Sequence, residues 1–486
     1  MNMELDNVVK FLQGKTILVT GATGFLAKVF VEKILRLQPN VNKLYLLLRA
    51  ADTNSATKRL NGEIISTELF RILRDRWGSE FDLFLSTKVI AVPGDISSEN
   101  LGLNESKLRE HMLREIEIVV HVAATTGFNE SYDVALAINT FGALNVLSFA
   151  KKCDKIKLFL HTSTAYVCGE QAGIILEKPF SVDDTLLKTC KLDIIEEKRI
   201  VEEKLDELRF QHTPNEVIKS EMKEFGLKRA KLYGWPNTYV FTKAMGEMLL
   251  GNFKGDLPLV IIRPTMIAST YKEPFPGWIE GVRTIDSVIV SYGKGKLTCF
   301  PGYPSSALDV IPADMVVNAM AVAMVVHTNY QSCQAIYHVS SSFKNPIKFG
   351  DLHKFVYHYF TKKPWINRDG QRVKVRKGTV LSTVNGFFLY MWIKYVFPLK
   401  YFRQVYMDLN RKIKLVMRFA EVYKPYAFFK GIFSDSNLDK LQMVAQGRGV
   451  DMGVFDFDSK SIDWEDYMMN IHIPGLLRHA IKSNYF

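Results

Sequence analysis

Residues 16–35 read TILVTGATGFLAKVFVEKIL, and this stretch decides the fold. Five β-branched or apolar residues, Thr16–Thr20, form a run that suits a buried strand, and a helical pattern follows the glycines. Gly21 permits the tight turn between them. Gly24 removes a side chain where backbone must approach a pyrophosphate. The helix that starts beyond it offers unpaired N–H groups and the positive end of its dipole. The third position of the glycine fingerprint is Ala27, small enough for close helix packing. A nucleotide-binding βαβ start is the expectation.

Working outward, apolar runs recur between helical stretches at Lys43–Leu48, Lys88–Val92, Ile118–Ala123, Lys157–His161 and Leu259–Ile262. Strands that are apolar on both sides and separated by helices imply a parallel sheet covered on both faces. The runs near Val310 and Ile336–Val339 are candidates to extend it. The expected fold is α/β, a Rossmann-type doubly wound parallel sheet with a smaller, mostly helical C-terminal domain. The second strand ends in LYLLLRAAD, so Arg49 stands where NAD-preferring sites carry a carboxylate for the ribose 2′-OH. A guanidinium there pairs a 2′-phosphate and stacks on adenine, which points to NADPH.

The pattern Y-x-x-x-K occurs at Tyr239/Lys243, Tyr292/Lys296, Tyr359/Lys363, Tyr390/Lys394 and Tyr426/Lys430. Only the first follows a strand ending in hydroxyl residues (LHTSTAYVCG) and precedes one capped by Arg263–Thr265. Tyr239 and Lys243 share one helix face. An ammonium near the phenol favours phenolate, so Tyr239 can give a proton to a carbonyl oxygen and recover it. Lys243 can also bind the nicotinamide ribose. Thr164, with Ser163 as the alternative, would donate to the same carbonyl oxygen.

Residues 170–235 interrupt the rhythm with KLDIIEEKRIVEEKLDELRF, an exposed amphipathic helix by its charge spacing. It is either a lid over the sheet's C-terminal edge or a plain surface helix. Domain boundaries are expected at 1–345 and 346–486. From Lys344 to Lys430 there are 19 Lys/Arg and 4 Asp/Glu, whereas the rest of the chain is slightly acidic. Aromatics interleave with that charge, which disfavours nucleic acid and suits an anionic membrane surface or a phosphate-bearing substrate. The apolar run 379–402 is interrupted by Lys394 and falls short of the ~20 residues that span a bilayer. It is read either as an interfacial helix or as core lining an acyl tunnel. The five cysteines are scattered, so neither a metal site nor a disulfide framework is expected, and a reducing compartment fits. The opening shows no signal or transit character.

The segments TGATGFLA, GDI (Gly94–Ile96), HVAATTGFNE, INTFGALNVL, HTSTAYVCGE, GWPNTYVFTKAMGE and IIRPTMI resemble the extended short-chain dehydrogenase/reductases. More narrowly, with PYAFFKGIFSDSN and FDFDSKSIDWEDYMMNIHIPGL, they resemble the plant alcohol-forming fatty acyl-CoA reductases. The resemblance covers nearly the whole chain. It implies NADPH-dependent reduction of long-chain acyl-CoA to a primary alcohol through a bound aldehyde, feeding wax or suberin-type lipid. It implies Tyr239, Lys243 and Thr164 as catalytic. It also implies Thr20, Gly21, Ala22, Thr23, Gly24, Phe25, Leu26, Arg49, Asp95, Ile96, Ala123, Lys243 and Pro264 as cofactor-binding. Peripheral association with the cytosolic face of the endoplasmic reticulum is the expected location, with the cytoplasm as the alternative. Two other readings stand beside it. One is an extended reductase or epimerase acting on a sugar nucleotide or sterol; the other is a cofactor-binding lipid-surface protein without turnover.

Overall fold

The computed structural model describes residues 8–481 except 182–183, 188–190, 329, 331, 368, 397–412, 414–415, 418–419 and 422. Expectations for Cys190, Phe397 and the far end of the 379–402 run therefore lie outside the described residues.

Seven parallel strands form the central sheet: β1 (Thr16–Thr20), β2 (Lys43–Leu48), β3 (Val89–Pro93), β4 (Ile118–His121), β5 (Leu158–Thr162), β6 (Leu259–Pro264) and β7 (Gln334–Val339). Their order is 3-2-1-4-5-6-7. The direction of winding reverses between β1 and β4, and that reversal opens a crevice at the strands' carboxyl ends. The Ile336–Val339 run joins the sheet as β7. The Val310 run does not: Val310–Pro312 pairs with Met266–Ala268 as a separate parallel ribbon.

Side chains of each strand alternate between two cores, as the two-residue period of a strand requires. Ile17, Val19, Leu46 and Val260 pack with Phe30 and Ile34 of α1 (Phe25–Leu37). Leu18, Leu47, Phe159 and Ile261 face the other way, against Val146 and Leu147. Both faces are covered, so the sheet is doubly wound.

The 170–235 region contributes two long helices, α2 (Ile194–Phe210) and α3 (Asn215–Leu232). Asp193 starts α2 by accepting from the Ile195 and Glu196 N–H groups at 2.9 and 3.0 Å. Glu197 is fully buried and ties the helices to the body of the protein. Its carboxylate accepts from Tyr132 Oη at 2.7 Å, from Tyr233 Oη at 2.9 Å and from the Arg229 guanidinium. The helix that carries Tyr239 follows as α4 (Thr238–Phe253). Asn237 caps it, and the buried pair Glu247–Arg263 locks it to β6. Two further helices bear on the site: α5 (Thr284–Gly293), and the buried, largely apolar α6 (Ala313–His327), which packs on α1.

The C-terminal part folds back along the sheet domain. Phe455, Phe457, Tyr467 and Leu476 belong to the same apolar cluster as Phe30 and Met320. Gly431–Phe433 pairs with Gly173–Ile175 inside the inserted region. Within the 379–402 run, Thr379–Leu381 pairs with Cys299–Pro301 and is followed by α7 (Val384–Met391). Phe387 and Met391 are buried against Cys299, Ile413 and Ala420, whereas Leu389, Trp392 and Ile393 are exposed. The run is thus part core and part surface.

Candidate active site

The carboxyl ends of β1–β6 open into one cavity of about 840 Å³. Gly21, Thr23, Gly24, Phe25 and Leu26 line it at β1. Gly21 has φ +71, a left-handed conformation, and a Cβ there would lie 2.6 Å from the backbone of Ala123. No side chain caps α1 at Gly24, so the helix's first-turn N–H groups face the cavity. Arg49, Asp95, Ile96, Ala123 and Pro264 line it beyond the turn. Thr20 and Ala22 do not: both are buried. Thr20 Oγ1 instead accepts from the Ala123 N–H at 3.3 Å and sits 2.7 Å from His121 Nδ1, bracing the turn from below.

Thr164, Tyr239 and Lys243 converge on the same cavity. Thr164 follows β5 and caps a short helical turn. Its hydroxyl is hydrogen-bonded to Tyr239, which opposes the effect of burial; the net result pushes the phenol up to about 12. Tyr239 is therefore protonated at neutral pH and poised as a donor. The cation that most favours its ionised form is Arg283, at the rim, and not Lys243. Lys243 donates to the Thr162 carbonyl at 2.8 Å, and burial lowers its ammonium to about 8 against the opposing Glu247 carboxylate. Lys243 is thus anchored on β5. Ser163 Oγ, the alternative hydroxyl, is buried at the cavity wall without a partner among the described residues.

Several residues missed in the sequence stand in this site. Arg59 lines it beside Arg49, held by Glu63 and by donation to the Arg49 carbonyl at 2.7 Å. Tyr423 and Tyr426 reach it from the C-terminal part. Tyr426 accepts from Asn237 Nδ2 at 3.0 Å, at the cap of the helix that carries Tyr239. Phe128 bridges them: its ring centroid is 5.9 Å from that of Tyr239 and stacks on Tyr426 at 5.0 Å. Asn139 holds the loop behind Phe128, exchanging hydrogen bonds with Thr125 and reaching Thr242 of α4.

These residues fit a dinucleotide. The glycine turn leaves a cradle that a Cβ would fill, the Ser163 hydroxyl is unspent, and no ion pair among the described residues engages Arg49. Sheet order, glycine turn and Thr–Tyr–Lys constellation together define a Rossmann-type NAD(P)-binding oxidoreductase.

Comparison with known proteins agrees and narrows the class. A male sterility protein profile for NAD binding matches residues 19–320, and a second male sterility protein profile matches residues 389–483. Fatty acyl-CoA reductase 1 of Arabidopsis thaliana is 55% identical over 491 residues, covering 98% of this chain and 100% of the relative. The alcohol-forming fatty acyl-CoA reductase of Simmondsia chinensis is 52% identical, covering 99% and 100%. Fatty acyl-CoA reductase 2 of Homo sapiens is 26% identical over 99% of this chain and 87% of its own length. The chain belongs to the fatty acyl-CoA reductase family. That membership favours the reductase over the sugar-nucleotide or sterol alternative. Among solved structures, the terminal R domain of the myxalamid pathway superposes with a TM-score of 0.60 at 15% identity, covering 96% of this chain and 91% of its own. The reductase domain of a nonribosomal peptide synthetase from Mycobacterium tuberculosis gives 0.57 at 16%, covering 97% and 95%. Both share the fold.

Proposed function

We propose that this chain reduces long-chain fatty acyl-CoA to the primary alcohol, consuming two NADPH and two protons and releasing CoA thiol. The observation that carries the reading is the meeting of Thr164, Tyr239 and Lys243 in the cavity that begins at the glycine turn. A bound NADPH supplies hydride to the substrate carbon. The chain's own residues manage the oxygen and its proton. Thr164 and Tyr239 hydroxyls address the thioester carbonyl oxygen, and Tyr239 hands over its proton as the carbon is reduced. The resulting hemithioacetal collapses to aldehyde and CoA thiol. Once Tyr239 has regained a proton from water and the spent coenzyme has been exchanged, the aldehyde carbonyl meets the same two hydroxyls, and a second reduction gives the alcohol. Phe128, Tyr423 and Tyr426 wall the catalytic tyrosine from solvent, which suits retention of the aldehyde between the two steps.

The Arg49–Arg59 pair at the end of β2 supports NADPH over NADH, since two guanidinium groups stand where a carboxylate would repel a phosphate. α5 gives an alkyl chain an apolar wall to follow, with a pocket of about 40 Å³ beyond it that a long chain would have to widen. Its first turn, at Thr284 and Ser287, lines the cavity. Val288, Ile289 and Tyr292 line a separate apolar pocket with Leu297, Phe300 and Leu352. For location, exposed Leu389, Trp392 and Ile393 within the basic segment support peripheral binding at the cytosolic face of the endoplasmic reticulum. Microsomes should carry the protein and release it in carbonate or high salt, and charge reversal at Lys374, Arg376 and Lys377 should leave it soluble. Release only in detergent would mean insertion of the 379–402 run.

The test of the chemistry is Tyr239→Phe, which removes one hydroxyl. Both reductions should stop while NADPH binding, followed by fluorescence, stays near that of the parent protein. Substantial alcohol formation by this variant would overturn the assignment.

A further inference from the structure

Two histidines lie beneath the catalytic helix, and the reduction as described uses neither. His121 ends β4 and His161 stands opposite it on β5, in register. Both are fully buried, and their rings stack with centroids 5.1 Å apart and 24° between planes. Lys243 Nζ lies 3.2 Å from His161 Nε2. An ammonium only donates, so Nε2 accepts and the ring's single proton sits on Nδ1. That Nδ1 has no partner among the described residues. On the neighbouring ring, Nδ1 faces the Thr20 hydroxyl, whose oxygen already takes the Ala123 N–H. That oxygen keeps a second lone pair, so His121 Nδ1 can take the Thr20 proton or donate its own, and His121 Nε2 has no partner among the described residues. His161 thus supplies one acceptor to Lys243 and leaves one buried N–H without a partner among the described residues. Packing alone would be served better by an apolar ring. What the imidazole adds is the acceptor.

We propose that His161 is a positioning residue for the reduction: its neutral Nε2 accepts one N–H of the Lys243 ammonium, the Thr162 carbonyl accepts a second, and the third is left to the cavity. The inference rests on the function proposed above, in which Lys243 is one of the three groups that meet in the cavity. The titratable groups that face Lys243 are His161 and His121 from the sheet, with Tyr239 and Glu247 on its own helix; Glu247 is spent on Arg263 of β6. A protonated His161 would repel the ammonium, so the pair holds one charge. Burial, then the Lys243 charge, keep the His161 imidazole well below its usual range, and this agrees with a neutral acceptor. Removing that acceptor withdraws support from the charged lysine, so Lys243 should lose its proton at lower pH.

The experiment uses the full chain with NADPH and hexadecanal, following kcat/KM from pH 6 to 10. Activity of the parent protein should fall as pH rises through the Lys243 value near 8. In His161→Leu this limb should move down by about one pH unit. In His161→Gln, whose amide oxygen reaches the place of Nε2, it should return to the parent position. A second readout needs no turnover: in the ¹⁵N-histidine-labelled protein with NADPH, the His161 ring should stay neutral with its proton on Nδ1 from pH 6 to 9. An unmoved limb in His161→Leu, or a proton on Nε2, would overturn the inference. If His161→Leu does not fold, the His161→Gln limb and the nitrogen shifts decide it. Absence of hexadecanal reduction by the parent protein would instead sink the function proposed above, whatever His161 does, whereas full activity in Lys243→Ala would remove Lys243 from the catalytic groups and the inference with it.

Discussion

Gly21→Ala is the sharpest perturbation of the coenzyme site. The new methyl would sit on a residue with φ +71, which costs an L-residue about 1–2 kcal/mol. It would also lie 2.6 Å from Ala123 Cα and N, about 0.8 Å inside an ordinary 3.4 Å contact, and the obstacle is backbone on both sides. β1 and β4 are adjacent strands, so the turn and the Ala123 loop must spread apart. Spreading moves the N–H groups at the start of α1 away from the pyrophosphate. One charge-assisted hydrogen bond lost there is worth about 1.5–3 kcal/mol, roughly a 10- to 150-fold rise in NADPH Kd. Fluorescence titration with NADPH measures that change, and urea unfolding measures the stability cost separately. Gly14→Ala is the control. Gly14 also has positive φ, +69, but nothing lies within 4 Å of its missing Cβ. That variant should lose stability yet keep NADPH affinity within about twofold. If Gly21→Ala bound NADPH as tightly as Gly14→Ala, close backbone approach would not be what the glycine provides.

The other predictions concern separate parts of the molecule. Arg49→Asp should weaken NADPH by roughly 10- to 100-fold while NADH changes little, since it replaces a phosphate partner with a like charge; equal losses for both coenzymes would make Arg49 a plain strand-end residue. Glu197→Ala should destabilise the chain by about 3–5 kcal/mol, read as a lowered urea midpoint, because Arg229, Tyr132 and Tyr233 lose their common acceptor. An unchanged midpoint would show that the two inserted helices are held some other way. Phe128→Ala opens the aromatic wall beside Tyr239 and should raise the share of aldehyde trapped by hydrazine during turnover. Trapping at the parent level would remove that wall from the account of aldehyde retention.

How far the sequence could be read follows from the range of the interactions involved. The glycine turn and six strands were legible because each is local: a run of apolar residues, a break, a helical period. Tyr239 could be chosen among five Y-x-x-x-K matches because its neighbours in sequence are also its neighbours in space, the end of β5 and the start of β6. Tyr426 fails the same rule, since it does not follow a strand ending in hydroxyl residues. It nevertheless reaches the cavity, because a three-residue pairing of Gly431–Phe433 with Gly173–Ile175 returns the C-terminal part to the site. Nothing local in either segment announces that pairing. Arg283 was missed for a similar reason: it lies at the loop before α5, and only the fold sets it at the rim facing Tyr239. The Val310 run has strand character, yet its partner is the ribbon strand Met266–Ala268 rather than the sheet edge. Thr20 belongs to the glycine motif by position, but its side chain points down to His121, so it supports the turn without lining the cavity. The two-histidine stack itself was visible only as two separate letters, one at the end of each strand.

In the proposed reaction one constellation carries an acyl thioester through two reductions without releasing the aldehyde. The most direct measurement is the stoichiometry of a single incubation of purified protein with NADPH and palmitoyl-CoA, counting NADPH oxidised, CoA thiol released and each lipid product. Two NADPH should be consumed for every thiol, with hexadecanol as the product and free hexadecanal at trace level. One NADPH per thiol with hexadecanal accumulating would contradict it, because the site would then complete only the first reduction.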